Sequence, residues 1–252
     1  MISRATGRPS RVLLTRSREG NVELSAKLRS IGFDPIALDV FEVVPAENWG
    51  PIDQKLMMVD NYDWLVFTSA TGARLFSDRM RILKMKPRSV RTRIAVVGAK
   101  TAAALEEKGW KADFIPSTFL TEKLAEEITP AGKVLLLRSD LANDSLAGRL
   151  RERGFEVDEF ALYSTRRRLL ASADPVKNAE LVIFGSPSAV DALCSQLPDA
   201  VLSGLLKKVA ACIGPVTAAA ARNRGFTRII SCTSEHTFDS LLEEIWRAYS
   251  FG

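Results

Sequence analysis

The apolar residues of this chain come in short runs that alternate with amphipathic stretches. The run Arg11-Val-Leu-Leu-Thr-Arg-Ser17 leads through a polar turn to an apolar face at Leu24 and Leu28, then to a stop at Gly32 and a second short run. Short apolar runs bounded by turn residues read as buried strands, and the i, i+4 spacing reads as one face of a helix. The same order recurs at Lys133-Val-Leu-Leu-Leu-Arg-Ser139, with Asn143, Leu146, Leu150 and Gly154-Phe155 matching Asn21, Leu24, Leu28 and Gly32-Phe33.

A second pattern also occurs twice. Trp64-Leu-Val-Phe-Thr-Ser-Ala70 resembles Leu181-Val-Ile-Phe-Gly-Ser-Pro187, and Ile94-Ala-Val-Val-Gly-Ala-Lys-Thr-Ala102 resembles Val209-Ala-Ala-Cys-Ile-Gly-Pro-Val-Thr-Ala218. Each is a strand running into a helix, and Gly109 and Gly225 close the later helices. A last strand is predicted at 112–115 and 228–231, then a final helix starting near Thr121 or Thr237 and ending at Ile128 or Ile245. Self-similarity of this kind organises the chain as first, second, first, second half-unit. One first plus one second half-unit gives about five strands alternating with helices, the signature of an α/β fold with parallel sheets flanked by helices. The usual five-stranded solution is the flavodoxin-like order 2-1-3-4-5. Contiguous pairing would make lobes of about 1–130 and 131–252. Crossed pairing would join 1–38 with 170–252 and nest 50–160 between them, leaving 39–49 and 161–169 as linking strands. The pattern alone does not choose.

Composition narrows the field. With 252 residues and 46% hydrophobic side chains the chain can fill real cores, and its net charge of +5 is mildly basic. The basic residues are scattered, the densest run being Arg166-Arg167-Arg168, whereas nucleic-acid binders cluster them on one face. Cys194, Cys212 and Cys232 form no Cys-x-x-Cys pair and read as reduced core residues of a cytoplasmic protein. The single histidine, His236, reads as a helix-start residue and excludes a multi-histidine metal site; Trp49, Trp64, Trp110 and Trp246 read as packing residues. The apolar stretch after the basic N-terminus is only Val12-Leu13-Leu14, too short for a signal-peptide core, and no run reaches membrane-spanning length. Dinucleotide, P-loop and zinc-protease motifs are missing.

What the sequence does offer is a set of Ser/Thr/Gly turns at strand-to-helix junctions. They hold Thr15, Arg16 and Ser17; Thr68, Ser69 and Ala70; Gly98, Lys100 and Thr101; Arg138; Ser186 and Ser188; and Gly214 and Thr217. In a parallel sheet such turns lie at the carboxyl ends of strands, where ligands bind, and the helix that follows favours anions. Thr15, Ser69, Thr101, Ser186 and Thr217 read equally well as helix N-caps.

Together these motifs resemble uroporphyrinogen-III synthase. The resemblance runs from Val12 to about Ile245, through Val66-Phe67-Thr68-Ser69-Ala70, Gly98-x-x-Thr101-Ala102, Val134-Leu-Leu-x-Arg138, Leu162-Tyr163-x-Thr165, Phe184-x-Ser186-Pro-Ser188-Ala189 and Ile213-Gly214-Pro-x-Thr217-Ala218. Thr15-Arg16-Ser17 departs from a frequent third-position proline, and Thr71 from a frequent asparagine. The resemblance implies the crossed pairing: two flavodoxin-like lobes, a two-stranded β linker and an active site in the cleft between the lobes. It implies the closure of linear hydroxymethylbilane with loss of water and inversion of the terminal ring, without metal or organic cofactor; a monomer is expected because no coiled-coil or extended apolar stripe in the sequence asks for a partner. Tyr163 falls where the family has a tyrosine, making it the candidate general acid, and the repeat has Phe41 at the matching position. A non-enzymatic two-lobed binder of a small anion and a flavin- or nucleotide-binding regulator are the rival expectations on the same fold.

Overall fold

The computed structural model describes residues 10–142, 145–232 and 235–250; Asn143, matched to Asn21 in the repeat, lies outside the described residues. Among the described residues the chain begins with strand β1 (Arg11–Leu14), helix α1 (Arg18–Ser30), strand β2 (Asp34–Ala37) and strand β3 (Phe41–Pro45). Helix α2 (Gly50–Met57) leads to β4 (Trp64–Phe67), α3 (Ala70–Ile82), β5 (Arg93–Val96), α4 (Ala99–Glu106) and α5 (Thr121–Glu127). The repeat of the first pattern gives β6 (Lys133–Ser139), α6 (Ser145–Glu152) and the long β7 (Glu156–Arg167). Then follow α7 (Asp174–Asn178), β8 (Leu181–Phe184), α8 (Pro187–Cys194), α9 (Asp199–Leu206), β9 (Val209–Cys212), α10 (Pro215–Asn223), β10 (Arg228–Ser231) and α11 (Phe238–Ser250).

Contacts divide the chain into two units, Met1–Glu42 with Arg166–Gly252, and Val43–Thr165. The first unit holds a sheet of order β10-β9-β8-β1-β2, with every neighbouring pair parallel. This is the 2-1-3-4-5 order. The second unit has the sheet β3-β7-β6-β4-β5, in which β7, β6, β4 and β5 run parallel. Ala46 N–H donates to Leu162 O and Arg168 N–H donates to Val40 O, so residue numbers rise on the β3 side as they fall on β7, the antiparallel sense. The register carries the duplication: Arg11 pairs Asp34 as Lys133 pairs Glu156, and Val12 pairs Leu181 as Val134 pairs Trp64.

Strand alternation splits each core into two layers. In the first unit Leu13, Val182, Phe184 and Ala210 face α8 and α10, while Val12, Leu14, Ile183 and Ala211 face α1 and α11. In the second unit Leu65, Phe67, Leu135 and Leu137 pack with Phe76 and Met80 of α3, and Trp64, Val66, Val134 and Leu136 pack with Leu124, Leu146 and Leu150. The stops Gly32, Gly109, Gly154 and Gly225 all have positive φ, the left-handed backbone that favours glycine after a helix.

Two expectations need correction. The strand predicted at 112–115 is reduced to a single parallel bridge, Phe114 to Ala95, because Asp113 turns its carboxylate back onto the Ile94 N–H and interrupts the ladder. The last helix of the first unit does not stop at Ile245 but runs to Ser250.

Candidate active site

In the second unit the carboxyl end of β4 passes through half-buried Thr68 to Ser69, which has extended backbone and caps α3. Its Oγ accepts the Gly72 N–H at 3.0 Å, filling one of the donors a helix start leaves unmade. The same Oγ lies 2.9 Å from the hydroxyl of Tyr163, which is 8% exposed on β7. Ala70 is the first residue of α3. At the next turn Gly98 is the cap residue of α4 and has no side chain to offer; Lys100 is exposed, and Thr101 is buried inside the first turn. A methyl on Gly98 would sit 3.4 Å from the ring of Phe119, itself 62% exposed.

Arg138 at the end of β6 is buried and forms an ion pair with Glu159 on the neighbouring β7. A guanidinium held this way has its charge offset by a carboxylate of its own chain.

In the first unit Thr15 is not a cap. It is fully buried and donates to Ile183 O at 2.7 Å, tying the end of β1 to β8, while Ser17 caps α1 by accepting the Gly20 N–H at 3.4 Å. Arg16 is half-buried, stacks 4.2 Å from the Phe238 ring centre and donates to Gly20 O. Burial lowers its pKa, although arginine stays charged at any physiological pH. Ser186 caps α8 by accepting the Ala189 N–H at 3.2 Å, and its Oγ is 2.9 Å from that of exposed Ser188. Gly214 is the cap residue of α10, and Thr217 lies buried inside that helix. Of the five hydroxyl residues read equally as caps, only Ser69 and Ser186 are caps; Thr15, Thr101 and Thr217 are buried, because each sits on a sheet- or core-facing position of its element.

Several residues that shape these turns were not among the candidate site residues. Buried Asn21 donates to Asp39 at 2.8 Å and accepts the Arg16 N–H, fixing the turn after β1. Phe119, His236 and Phe238 each fill the space beside a glycine, Gly98, Gly214 and Gly185 respectively. Gly98 and Gly214, paired in the two copies, were the clue to the first two, whereas Gly185 stands opposite Thr68. Each of those glycines accommodates a side chain of the protein itself.

A cavity of about 390 Å³ in the second unit is lined by Arg81, Lys84, Lys108 and Trp110, at the far ends of α3 and α4. Its lining begins at Ser77, eight residues and roughly 12 Å along α3 from the Ser69 cap. Burial pushes the Cys194 thiol up to about 11 and the Cys212 thiol up to about 12, which keeps both protonated and unreactive. Among the described residues no group of three or more His, Cys, Asp or Glu side chains could hold a metal ion, and no helix is long and apolar enough to cross a membrane.

Parallel sheets flanked by helices, with helix starts gathered at the carboxyl ends of their strands, define an α/β protein of the doubly wound class. More narrowly, the chain belongs to the uroporphyrinogen-III synthase family: the model for uroporphyrinogen-III synthase HemD matches residues 22–243. The enzyme of this family is a cyclising lyase of tetrapyrrole biosynthesis, and a non-enzymatic binder is not favoured. The porphyrin biosynthesis protein HemD of Ruminiclostridium josui is 28% identical over 94% of this chain, which spans only 48% of that protein. The uroporphyrinogen-III synthase of Synechococcus elongatus is 29% identical over 92% of each chain. The fold is shared with solved structures of uroporphyrinogen-III synthetase from Helicobacter pylori (18% identity, 96% of this chain and 99% of that, TM-score 0.62) and of a mutant uroporphyrinogen III synthase from Thermus thermophilus (20%, 96% and 99%, 0.58).

Proposed function

We propose that this chain converts linear hydroxymethylbilane into uroporphyrinogen III, closing the macrocycle with inversion of the terminal ring and loss of water. The family match across residues 22–243 carries this reading. The helix starts at Ser69, Gly98, Ser186 and Gly214, with Arg16 and Lys100, are offered as contacts for the acetate and propionate groups of the substrate. Thr68, Ala70 and Ser188 stand at the same turns and Arg138 at the end of β6, while Thr101 and Thr217 are buried beneath the turns that carry them.

Tyr163 is the proposed general acid. The terminal hydroxymethyl C–O bond breaks with its electron pair on oxygen, which takes the phenolic proton and leaves as water. The pyrrole N–H proton then returns to the phenolate, leaving an electrophilic methylene that the inverted ring closure consumes. Because unassisted closure gives the non-inverted isomer, the protein's main task is to hold the chain in the less accessible geometry. Positioning of this kind is worth roughly 7–11 kcal/mol, and acid–base help adds about 10²–10⁴-fold. We take the protein to act as a cytoplasmic monomer that engages neither nucleic acid nor membrane.

The test is to supply hydroxymethylbilane and resolve the type III from the type I product. Type III in large excess supports the reading; a product mixture equal to that formed in buffer alone ends it.

A further inference from the structure

We infer that Ser69 is a positioning residue for Tyr163: its hydroxyl, fixed at the start of α3, donates to the phenolic oxygen and leaves the phenolic proton free for the substrate. This rests on Tyr163 acting as the acid. A serine hydroxyl has one proton and two acceptor positions. Ser69 spends one acceptor position on the Gly72 N–H, which is a donor only and cannot reverse. That bond polarises the hydroxyl and makes its own proton the better donor to the oxygen 2.9 Å away. The phenol is then aimed. After the proton leaves, the phenolate still accepts from Ser69, at the positive end of a thirteen-residue helix.

The duplicated unit serves as an internal control. Ser186 makes the same cap, accepting the Ala189 N–H, but its second neighbour is the Ser188 hydroxyl, and the position matching Tyr163 is Phe41, which has no hydroxyl. The residue three beyond the cap differs too, alanine in one unit and glycine in the other. A methyl on Gly72 would lie 3.2 Å from Ser69 Oγ and 3.8 Å from Tyr163 Cε1. A cap needs no glycine there, as Ala189 demonstrates. Gly72 leaves room where the two hydroxyls meet.

The experiment measures kcat, KM and thermal stability for Ser69→Ala, Ser69→Asp, Ser69→Thr, Tyr163→Phe and the Ser69→Ala/Tyr163→Phe double variant. Aspartate keeps the cap but cannot donate, so Ser69→Asp should hold stability yet lose kcat roughly tenfold, as Ser69→Ala does, while its KM rises because the added carboxylate repels the anionic substrate. Ser69→Thr, which keeps cap and donor, should recover most of kcat. In the Tyr163→Phe background Ser69→Ala should cost nothing more. Wild-type kcat in Ser69→Asp, or an undiminished penalty in the double variant, overturns the role of Ser69. Wild-type kcat in Tyr163→Phe instead removes the acid itself, a distinct outcome.

Discussion

His236 lies against Gly214: a methyl group on that glycine would stand 3.0 Å from the imidazole Cδ2 and 3.1 Å from Cγ. The glycine has extended backbone, with φ of −172°, so alanine there is costly only through the histidine it displaces. Gly214→Ala should therefore destabilise the protein by about 1 kcal/mol, the low end for overpacking because His236 is exposed and can move. In a His236→Ala background the penalty should vanish. Urea midpoints of the four proteins in that cycle give the answer, and an equal cost in both backgrounds contradicts the contact.

Arg138 and Glu159 form a pair that neither can leave cheaply. The arginine side chain is 9% exposed and the glutamate 22%. Glu159→Gln would remove a counter-charge from a buried guanidinium, and a loss of about 3 kcal/mol is expected by chemical denaturation. Removing both charges, as Arg138→Met with Glu159→Gln, should restore much of it. If the double variant is less stable than Glu159→Gln, then Arg138 is held by other contacts.

Asp158 gives the second unit an acid-sensitive component. Hydrogen bonds from Lys55 and then Tyr62 hold its pKa below the usual carboxylate value. The unfolded chain therefore binds the proton more readily, so the stabilisation is complete above about pH 4 and is lost as pH falls through the folded pKa. Comparison of wild type with Asp158→Asn should show a gap of about 1 kcal/mol at pH 7 that closes below pH 4. For Tyr62 the direction reverses: burial and Asp158 raise its pKa, so its contribution declines once pH exceeds the unfolded value of about 10. A gap that is constant from pH 7 to pH 3 would rule out the linkage.

Tyr163→Phe keeps the ring that packs with Leu162 and Phe67 in the second unit's core and removes only the hydroxyl. Turnover should fall by about 10²-fold or more while the melting temperature moves little. An unchanged rate would strip the residue of its assigned part.

The duplicated pattern made the layered α/β architecture legible before any coordinates, because a buried parallel strand must be apolar throughout while its flanking helix must alternate. The register of Arg11 with Asp34 and of Lys133 with Glu156 is that repeat in physical form. Which half-units share a sheet was not legible from the pattern, since both copies present similar apolar strands; only the family resemblance implied the crossed pairing, and the pairing itself is seen where Val12 meets Leu181. The turns were legible as places, not as roles. A hydroxyl near a helix start was visible at Thr15, yet one residue of strand alternation sends it into the sheet toward Ile183 O. The bond between Ser69 and Tyr163 joins residues far apart in the chain, and no local spacing announces it.

Because β1 pairs with β8, β1 is synthesised well before residues near Leu181 and waits for them before its inner edge is covered. Residues 43–165 meet all their strand partners sooner, within one unbroken stretch of translation. Synthesis thus sets an order of assembly in which the β1-α1-β2 segment stays open longer than residues 43–165, and a nascent-chain chaperone would find its open strand edge there.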